Sequence, residues 1–324
     1  MKGKWLLILL VFIVILSGCT FPGGGGGAQT VSGNGIVITK FSPDFSEIRS
    51  GEPIMLTLSV QNVGGAVANN IVAQIFGGVS SGTGWVFDAD TPPTKALTPS
   101  SLRPADPVNN LPGESLDYVW RVTSPAGLKV KTSYDAGIRV YYIYNTSAIA
   151  TVRFYTNSYL KSLPQTQYQS LLKSAGVISQ ASSAGPISIS FSTGARPLVI
   201  YGAPGETYAL QITFNNVGSG NAIDPTSTPW PNSEYRNLYY ITYTLKTNGL
   251  ILNCPKQDGT QTGDTTSFSD KILLAGGKLK TVFCTIKSPG SAVINSQDYT
   301  INVEASYGYF VESKATINVL PVTQ

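Results

Sequence analysis

The chain has no histidine in its 324 residues. This removes the usual general base near neutral pH, the Ser-His-Asp and Cys-His arrangements, and most catalytic zinc sites. Charge is also scarce: only 12% of residues are Asp, Glu, Lys or Arg, and the formal net charge is +4. Two of those positive charges, Lys2 and Lys4, precede an apolar stretch at the N-terminus, and removing both takes the charge to +2. That is too little for a nucleic-acid footprint, so no nucleic-acid partner is expected. Long apolar runs are missing as well. The uninterrupted stretch from Trp5 to Leu16 falls short of the roughly 20 residues that span a bilayer and suits the core of a signal peptide.

The residues just after that stretch give the chain an expected address. Leu16-Ser17-Gly18-Cys19 has the form of a lipobox, with small residues at a cleavage site and a thiol to carry lipid. Residues 1–19 are therefore expected to be a lipoprotein-type signal peptide, with the mature chain held at the outer face of the membrane by lipid on Cys19. Each buried lipid CH₂ contributes roughly 0.8 kcal/mol, so two chains give a stable anchor. An uncleaved N-terminal transmembrane anchor and an ordinary secreted form are the alternatives. Residues 20–35, with five consecutive glycines from Gly23 to Gly27, form a flexible tether with no apolar periodicity to bury. Of the three cysteines, Cys254 and Cys284 remain after Cys19 is lipidated, and an even pair in an exported chain is most simply a disulfide. A metal bound by two thiols with no histidine would be short of ligands. No metal and no cofactor are expected.

The chain also repeats itself. Gly51-Glu52, the alternating Ile54, Leu56, Leu58 and Val60, and Asn62-Val63-Gly64 recur as Gly205-Glu206, Tyr208, Leu210, Ile212, Phe214 and Asn216-Val217-Gly218. Tyr118, Trp120, Val122 and Ser124-Pro125 recur as Val282, Cys284, Ile286 and Ser288-Pro289, with Cys284 in the place of Trp120. Both of these positions read as inward-facing. Period-two alternation predicts strands at 36–41, 54–60, 70–76, 116–123, 134–144 and 148–154, and in the second copy at 187–191, 208–214, 238–246, 281–287, 299–307 and 313–320. The chain is thus predicted to be all-β, with two tandem immunoglobulin-like antiparallel sandwiches over residues 36–155 and 186–321. Residues 156–185 connect them. Tyr159, Leu160, Leu163, Tyr168, Leu171 and Leu172 recur there at helical spacing, which predicts one short helix.

Val60-Gln61-Asn62-Val63-Gly64-Gly65-Ala66 and Phe214-Asn215-Asn216-Val217-Gly218-Ser219-Gly220, each an alternating strand followed by Asn-x-Gly and small residues, resemble the CARDB-type immunoglobulin-like modules. These are cell-adhesion-related domains of microbial surface proteins. The resemblance spans both copies and implies a fold more than a role, and it supplies no catalytic residues. The large Pro- and Ser-rich inserts, 77–112 and 222–237, depart from the compact pattern. The expected function is that of a non-catalytic surface protein for adhesion, envelope assembly or protein interaction, with an unidentified surface protein or glycan as partner. The alternative is a carbohydrate- or solute-binding accessory lipoprotein of a transporter or degradative complex.

A few residues stand out as candidates. Trp85 and Trp230 each lie in an insert and are candidate contacts for a partner or glycan, with packing of the insert onto its own domain as the competing use. Their loops are expected at opposite poles of the two domains. Asn145-Thr146-Ser147 offers Asn145 as a candidate N-glycosylation acceptor. Asp88 and Asp90 are a weak calcium candidate, since oxygen ligands at alternate positions can converge, and a poor carboxylate pair for hydrolysis because they sit in one Pro-flanked loop. Tyr141, Tyr142 and Tyr144, and Tyr239, Tyr240 and Tyr243, lie on strands where at least one ring of each trio faces outward.

Overall fold

The computed structural model describes residues 33–194, 196–200, 205–225, 238–288 and 294–322. Cys19, Trp230 and the leader and most of the tether lie outside the described residues. The protein is all-β, with 59% of it in strands and 6% in helix. The first half contains β1 (Ile36–Pro43), β2 (Glu47–Arg49), β3 (Pro53–Asn62), β4 (Ala68–Gly77), β5 (Val86–Phe87), β6 (Thr94–Ala96), β7 (Ser101–Leu102), β8 (Ser115–Thr123) and β9 (Thr132–Thr156). The connector carries α1 (Asn157–Ser162), α2 (Gln165–Leu172) and β10 (Val177–Ser182). The second half continues with β11 (Ile187–Ser192), β12 (Leu198–Ile200), β13 (Thr207–Asn216), β14 (Asn221–Ile223), β15 (Tyr240–Thr247), β16 (Leu252–Asn253), β17 (Ser267–Leu273), β18 (Leu279–Lys287) and β19 (Ser296–Leu320).

Alternation places these strands. In β3, Ile54, Leu56, Leu58 and Val60 are buried while their neighbours face outward, and Leu210, Ile212 and Phe214 do the same in β13, as a two-residue side-chain period requires. The two copies share a register: Leu56 pairs with Trp120 across β3 and β8, and Leu210 pairs with Cys284 across β13 and β18. Two four-stranded sheets result, ordered β1-β3-β8-β5 and β11-β13-β18-β16. Their inner faces meet a single eleven-stranded sheet whose path is β17-β15-β19-β9-β4-β6. Phe154 of β9 meets Tyr208 of β13 with ring centroids 5.8 Å apart, and Phe214 of β13 meets Tyr243 of β15 at 5.1 Å. One continuous apolar core runs through both halves.

The connector has two short helices where the sequence predicts one. Pro164 divides them, because the residue before a proline is disfavoured in helical backbone; Leu163 accordingly leaves the helix with ψ 147°. Thr156 caps α1 by accepting a hydrogen bond from the Tyr159 amide. Leu160, Tyr155 and Val199 then form a small separate core, with Tyr168 and Leu171 of the second helix packed on it.

The long strands differ most from expectation. The sequence predicts a break near residues 145–147 and another near 308–312, giving two hairpins. Instead β9 and β19 each run for 25 residues and pair with one another antiparallel, without a register shift, from Tyr155↔Ser296 to Thr132↔Val319. The first part of β9 lies beside β4 and the last part of β19, whereas its own last part lies beside β10, β12 and the first part of β19. The end of β19 lies in turn beside β2, in parallel, with Ile48 opposite Val319. The expected domains 36–155 and 186–321 therefore each give up their last strand to the other half.

The middle of this ladder is a cluster of four buried tyrosines with approximate two-fold symmetry. Tyr142 packs on Tyr309 at 5.7 Å and Tyr144 on Tyr307 at 6.3 Å. Tyr144 and Tyr309 play matching roles beneath the two Asn-x-Gly turns. The Tyr144 hydroxyl accepts from the Ala66 amide at 2.8 Å, and the Tyr309 hydroxyl accepts from the Gly220 amide at 2.9 Å. A Cβ on Gly64 or Gly218 would overlap those same hydroxyls, so the glycine of each motif is there for a close approach. The asparagines are buried and tie the turns. Asn62 donates to the Ala66 and Leu102 carbonyls, and Asn216 donates to the Gly220 and Gly277 carbonyls.

Candidate functional site

The outer face of the large sheet carries an open groove of about 450 Å³. Four neighbouring strands form its floor in two rungs. Ala181, Ile149, Asn302 and Lys246 pair in sequence across β10, β9, β19 and β15. Ser147 pairs with Glu304, which pairs with Thr244, and the Ser183 amide donates to the Ser147 carbonyl. With strands about 4.8 Å apart, four of them span roughly 14 Å, and rungs two residues apart add about 7 Å. A short glycan or a few residues of extended peptide would fit that area.

The groove mixes one apolar patch with several polar groups. Ile149 is 46% exposed at its centre. Around it stand one cation, one anion, an amide and several hydroxyls, and neither Lys246 nor Glu304 forms an ion pair with a described residue. Such a surface can bind by hydrogen bonds while burying a small apolar face. Apart from Ser147, the last residue of the Asn145 triplet, none of these lining residues is a candidate that the sequence singles out, because they come from four separated segments and most look like ordinary strand positions. Asn145 is exposed on the same face of β9, two residues before Ser147, so the candidate glycosylation triplet ends inside the groove.

Trp85 occupies a different place. It is buried, 2% exposed, with its ring edge-on to Tyr134 at 5.5 Å. A second cavity of about 370 Å³ lies beside it, lined by Ser81, Phe87, Asp88, Pro92 and Pro93 among others. The indole N–H has no hydrogen-bond partner among the described residues. Trp120 of β8 donates to the Pro92 carbonyl at 3.0 Å and so ties the insert to β8. Trp85 is thus a packing residue of its insert and not a platform for stacking. Its expected counterpart, Trp230, is outside the described residues, and so is a comparison of their poles.

The other candidates have mostly structural surroundings. Asp88 lies 3.8 Å from Arg121 in a half-exposed ion pair, and among the described residues no three acidic or thiol groups gather in a way that would hold a metal. Cys254 and Cys284 form a disulfide, both buried, with Cα atoms 4.2 Å apart. Of the first tyrosine trio, Tyr142 and Tyr144 face the core. Tyr141 faces out but is covered by Ile223 and Phe310 in a small outer cluster. Arg139 lies beside that cluster, its guanidinium 4.9 Å from the Phe76 ring and 4.8 Å from the Phe310 ring, with Glu312 as its ion-pair partner. Tyr243 is buried, while Tyr239 and Tyr240 are partly exposed.

Among the described residues no helix is long and apolar enough to cross a membrane. The disulfide fits an oxidising, extracellular compartment. No family model matches the chain, and no curated protein matches it. Solved structures that resemble it do so faintly. The secreted serine protease VesC from Vibrio cholerae is 11% identical with a TM-score of 0.19, over 86% of this chain and 51% of that one, so the chain spans about half of VesC's length. The CupB6 tip adhesin from Pseudomonas aeruginosa is 9% identical with a TM-score of 0.17, over 88% and 99% of the two chains. The Enterococcus faecalis MSCRAMM ACE is 8% identical with a TM-score of 0.14, over 88% and 95%. Likenesses of this size carry no argument about role.

Proposed function

We propose that this is a non-catalytic, membrane-anchored surface protein built from two immunoglobulin-like, CARDB-resembling modules, which presents the outer-face groove around Ile149 to a surface protein or glycan. The groove is the observation that carries this reading, because it joins an exposed apolar residue to surrounding polar groups on the outer face of the large sheet. The order β1-β3-β8-β5 facing a sheet in which β2 pairs in parallel with β19, repeated by β11-β13-β18-β16 and β12 with β9, supports the immunoglobulin-type assignment. The lipobox at Cys19 supports the anchor, and the absence of histidine supports a binding role over a hydrolytic one.

A glycan array and a pull-down from intact envelopes, each run with wild type and with Ile149→Lys, test the proposal. Retention of a surface protein that Ile149→Lys abolishes supports adhesion or assembly. Retention of one sugar class, lost in the same variant, favours the accessory-lipoprotein alternative, to which the polar rim of Thr244, Asn302 and Glu304 is also suited. Binding that is unchanged by Ile149→Lys would remove the groove as the site. Separately, Cys19→Ser should release the protein from membranes, and equal retention in an alkaline wash would favour a transmembrane anchor.

A further inference from the structure

We infer that the two halves complete one another by reciprocal exchange of their final strands, and that each half holds an acceptor groove for an extended segment with the inward pattern small, small, branched, apolar. This inference does not depend on the surface-binding reading. It starts from the two donor segments. The end of β9 turns Thr146, Ala148, Ala150, Val152 and Phe154 inward, and the end of β19 turns Val311, Ser313, Ala315, Ile317 and Val319 inward. The last four positions of the two series match in kind: a pair of small residues, then a β-branched one, then a further apolar one. Each donor also ends in the same contact, a short parallel strand from the opposite half. Val199 of β12 lies opposite Tyr155, and Ile48 of β2 lies opposite Val319. The Ser50 amide extends the second contact by donating to the Leu320 carbonyl at 2.9 Å.

The donors share this pattern, although Phe154 packs on Tyr208 and Tyr299 where the other series has Val319, and the chain at the crossing point also bears on which half each one completes. For β9 to fold back on its own half it would have to reverse at Tyr142-Ile143-Tyr144, the centre of the ladder. Tight hairpin turns need positive φ at their central residues, which Gly, Asn and Asp supply and which β-branched and aromatic residues resist, so Ile143 opposes a turn in β9 whereas its ladder partner Gly308 would permit one in β19. The tyrosines there are also in use, since the Tyr144 and Tyr309 hydroxyls support the two Asn-x-Gly turns only while both strands continue straight. A turn at either centre would pull those supports away. The exchange is therefore held at the crossing by Ile143 and by the Tyr144 and Tyr309 contacts, and the last strand of the chain belongs structurally to the first half.

Paired cysteines in the full-length chain, with the Cys254–Cys284 bond intact, distinguish exchange from closure. Exchange places Ser133 opposite Asn318 and Arg153 opposite Asp298. Closed hairpins would instead bring residue 133 to residue 153 and residue 298 to residue 318. Under mild oxidation, Ser133→Cys/Asn318→Cys and Arg153→Cys/Asp298→Cys should each link most of the chain within a monomer, while Ser133→Cys/Arg153→Cys should not link. The four positions are at the sheet's outer face, and the two linking pairs report independently should one variant fold poorly. Linking of Ser133→Cys/Arg153→Cys, linking of the first two pairs only between chains, or failure of both to link would each overturn the exchange within one molecule.

Discussion

Asn216 offers the sharpest single perturbation of the turns tied to the central tyrosine cluster. Its side chain is 5% exposed and makes four hydrogen bonds. The amide donates to the Gly220 and Gly277 carbonyls, each at 3.0 Å, and the oxygen accepts from the Gly218 amide at 3.2 Å and from the Tyr309 hydroxyl at 2.8 Å. A typical intramolecular hydrogen bond contributes about 0.5–1.5 kcal/mol net, and more is lost when the abandoned partner stays buried, so Asn216→Ala should cost about 3–5 kcal/mol. For a chain this large each kcal/mol lowers the melting temperature by roughly 2–4 °C, so a drop of roughly 10 °C is expected. Asn216→Asp keeps the two accepting contacts but loses both donors and buries a charge, so it should be no milder than alanine. Val217→Ala, at a neighbouring position 47% exposed, serves as the control and should change little. Urea unfolding, read by tryptophan fluorescence, measures all three. An Asn216→Ala variant within about 1 kcal/mol of wild type, the size of a single hydrogen bond, would refute the idea that this amide ties the turn to the central ladder.

Two further expectations rest on the core. Reduction of Cys254–Cys284, which closes a separation of 30 residues, should cost about 2–4 kcal/mol, visible as a lower urea midpoint in reductant; an unchanged midpoint would mean that the bond is not formed or not constraining. Burial raises the Tyr142, Tyr243 and Tyr307 phenols and pushes Tyr309 up to about 12. Because the unfolded phenols ionise near pH 10, the folded state then holds more protons than the unfolded one, and stability is fully present below about pH 10 and falls as pH rises toward 12 and beyond. An ultraviolet titration should show a group of tyrosines that ionises only together with unfolding, whereas smooth titration of all of them near pH 10 would contradict their burial.

Much of the β architecture was legible because it rests on short-range chemistry. Alternation at Ile54–Val60 and Tyr208–Phe214 marks strands, and Asn62-Val63-Gly64 and its twin mark turns whose glycines are required by close approach. Cys254 and Cys284, the two cysteines left once Cys19 is assigned to lipid, indicate the disulfide. The course of the long strands was not legible in the same way. Asn145-Thr146-Ser147 looks like a polar break between Tyr144 and Ala148, yet Asn145 and Ser147 are exposed while Thr146 is buried, so these three residues simply continue the alternation. Local polarity cannot distinguish a turn from the solvent face of a strand; only the distant partner strand, β19, does so. The groove was hidden for a related reason, since Ser147, Thr244 and Glu304 become neighbours only through that exchange.

Removal of the last strand tests the interlocked arrangement most directly. In a chain shortened to end before Ser313, hydrogen exchange should accelerate in β2 and in residues 132–138 of β9, which border the deleted segment in the first half. Residues 148–152 of β9, together with β10 and β15, should keep their protection, although they lie closer in sequence to the new terminus. Faster exchange confined to the second half, with β2 and the start of β9 unaffected, would contradict the reciprocal completion of the two halves.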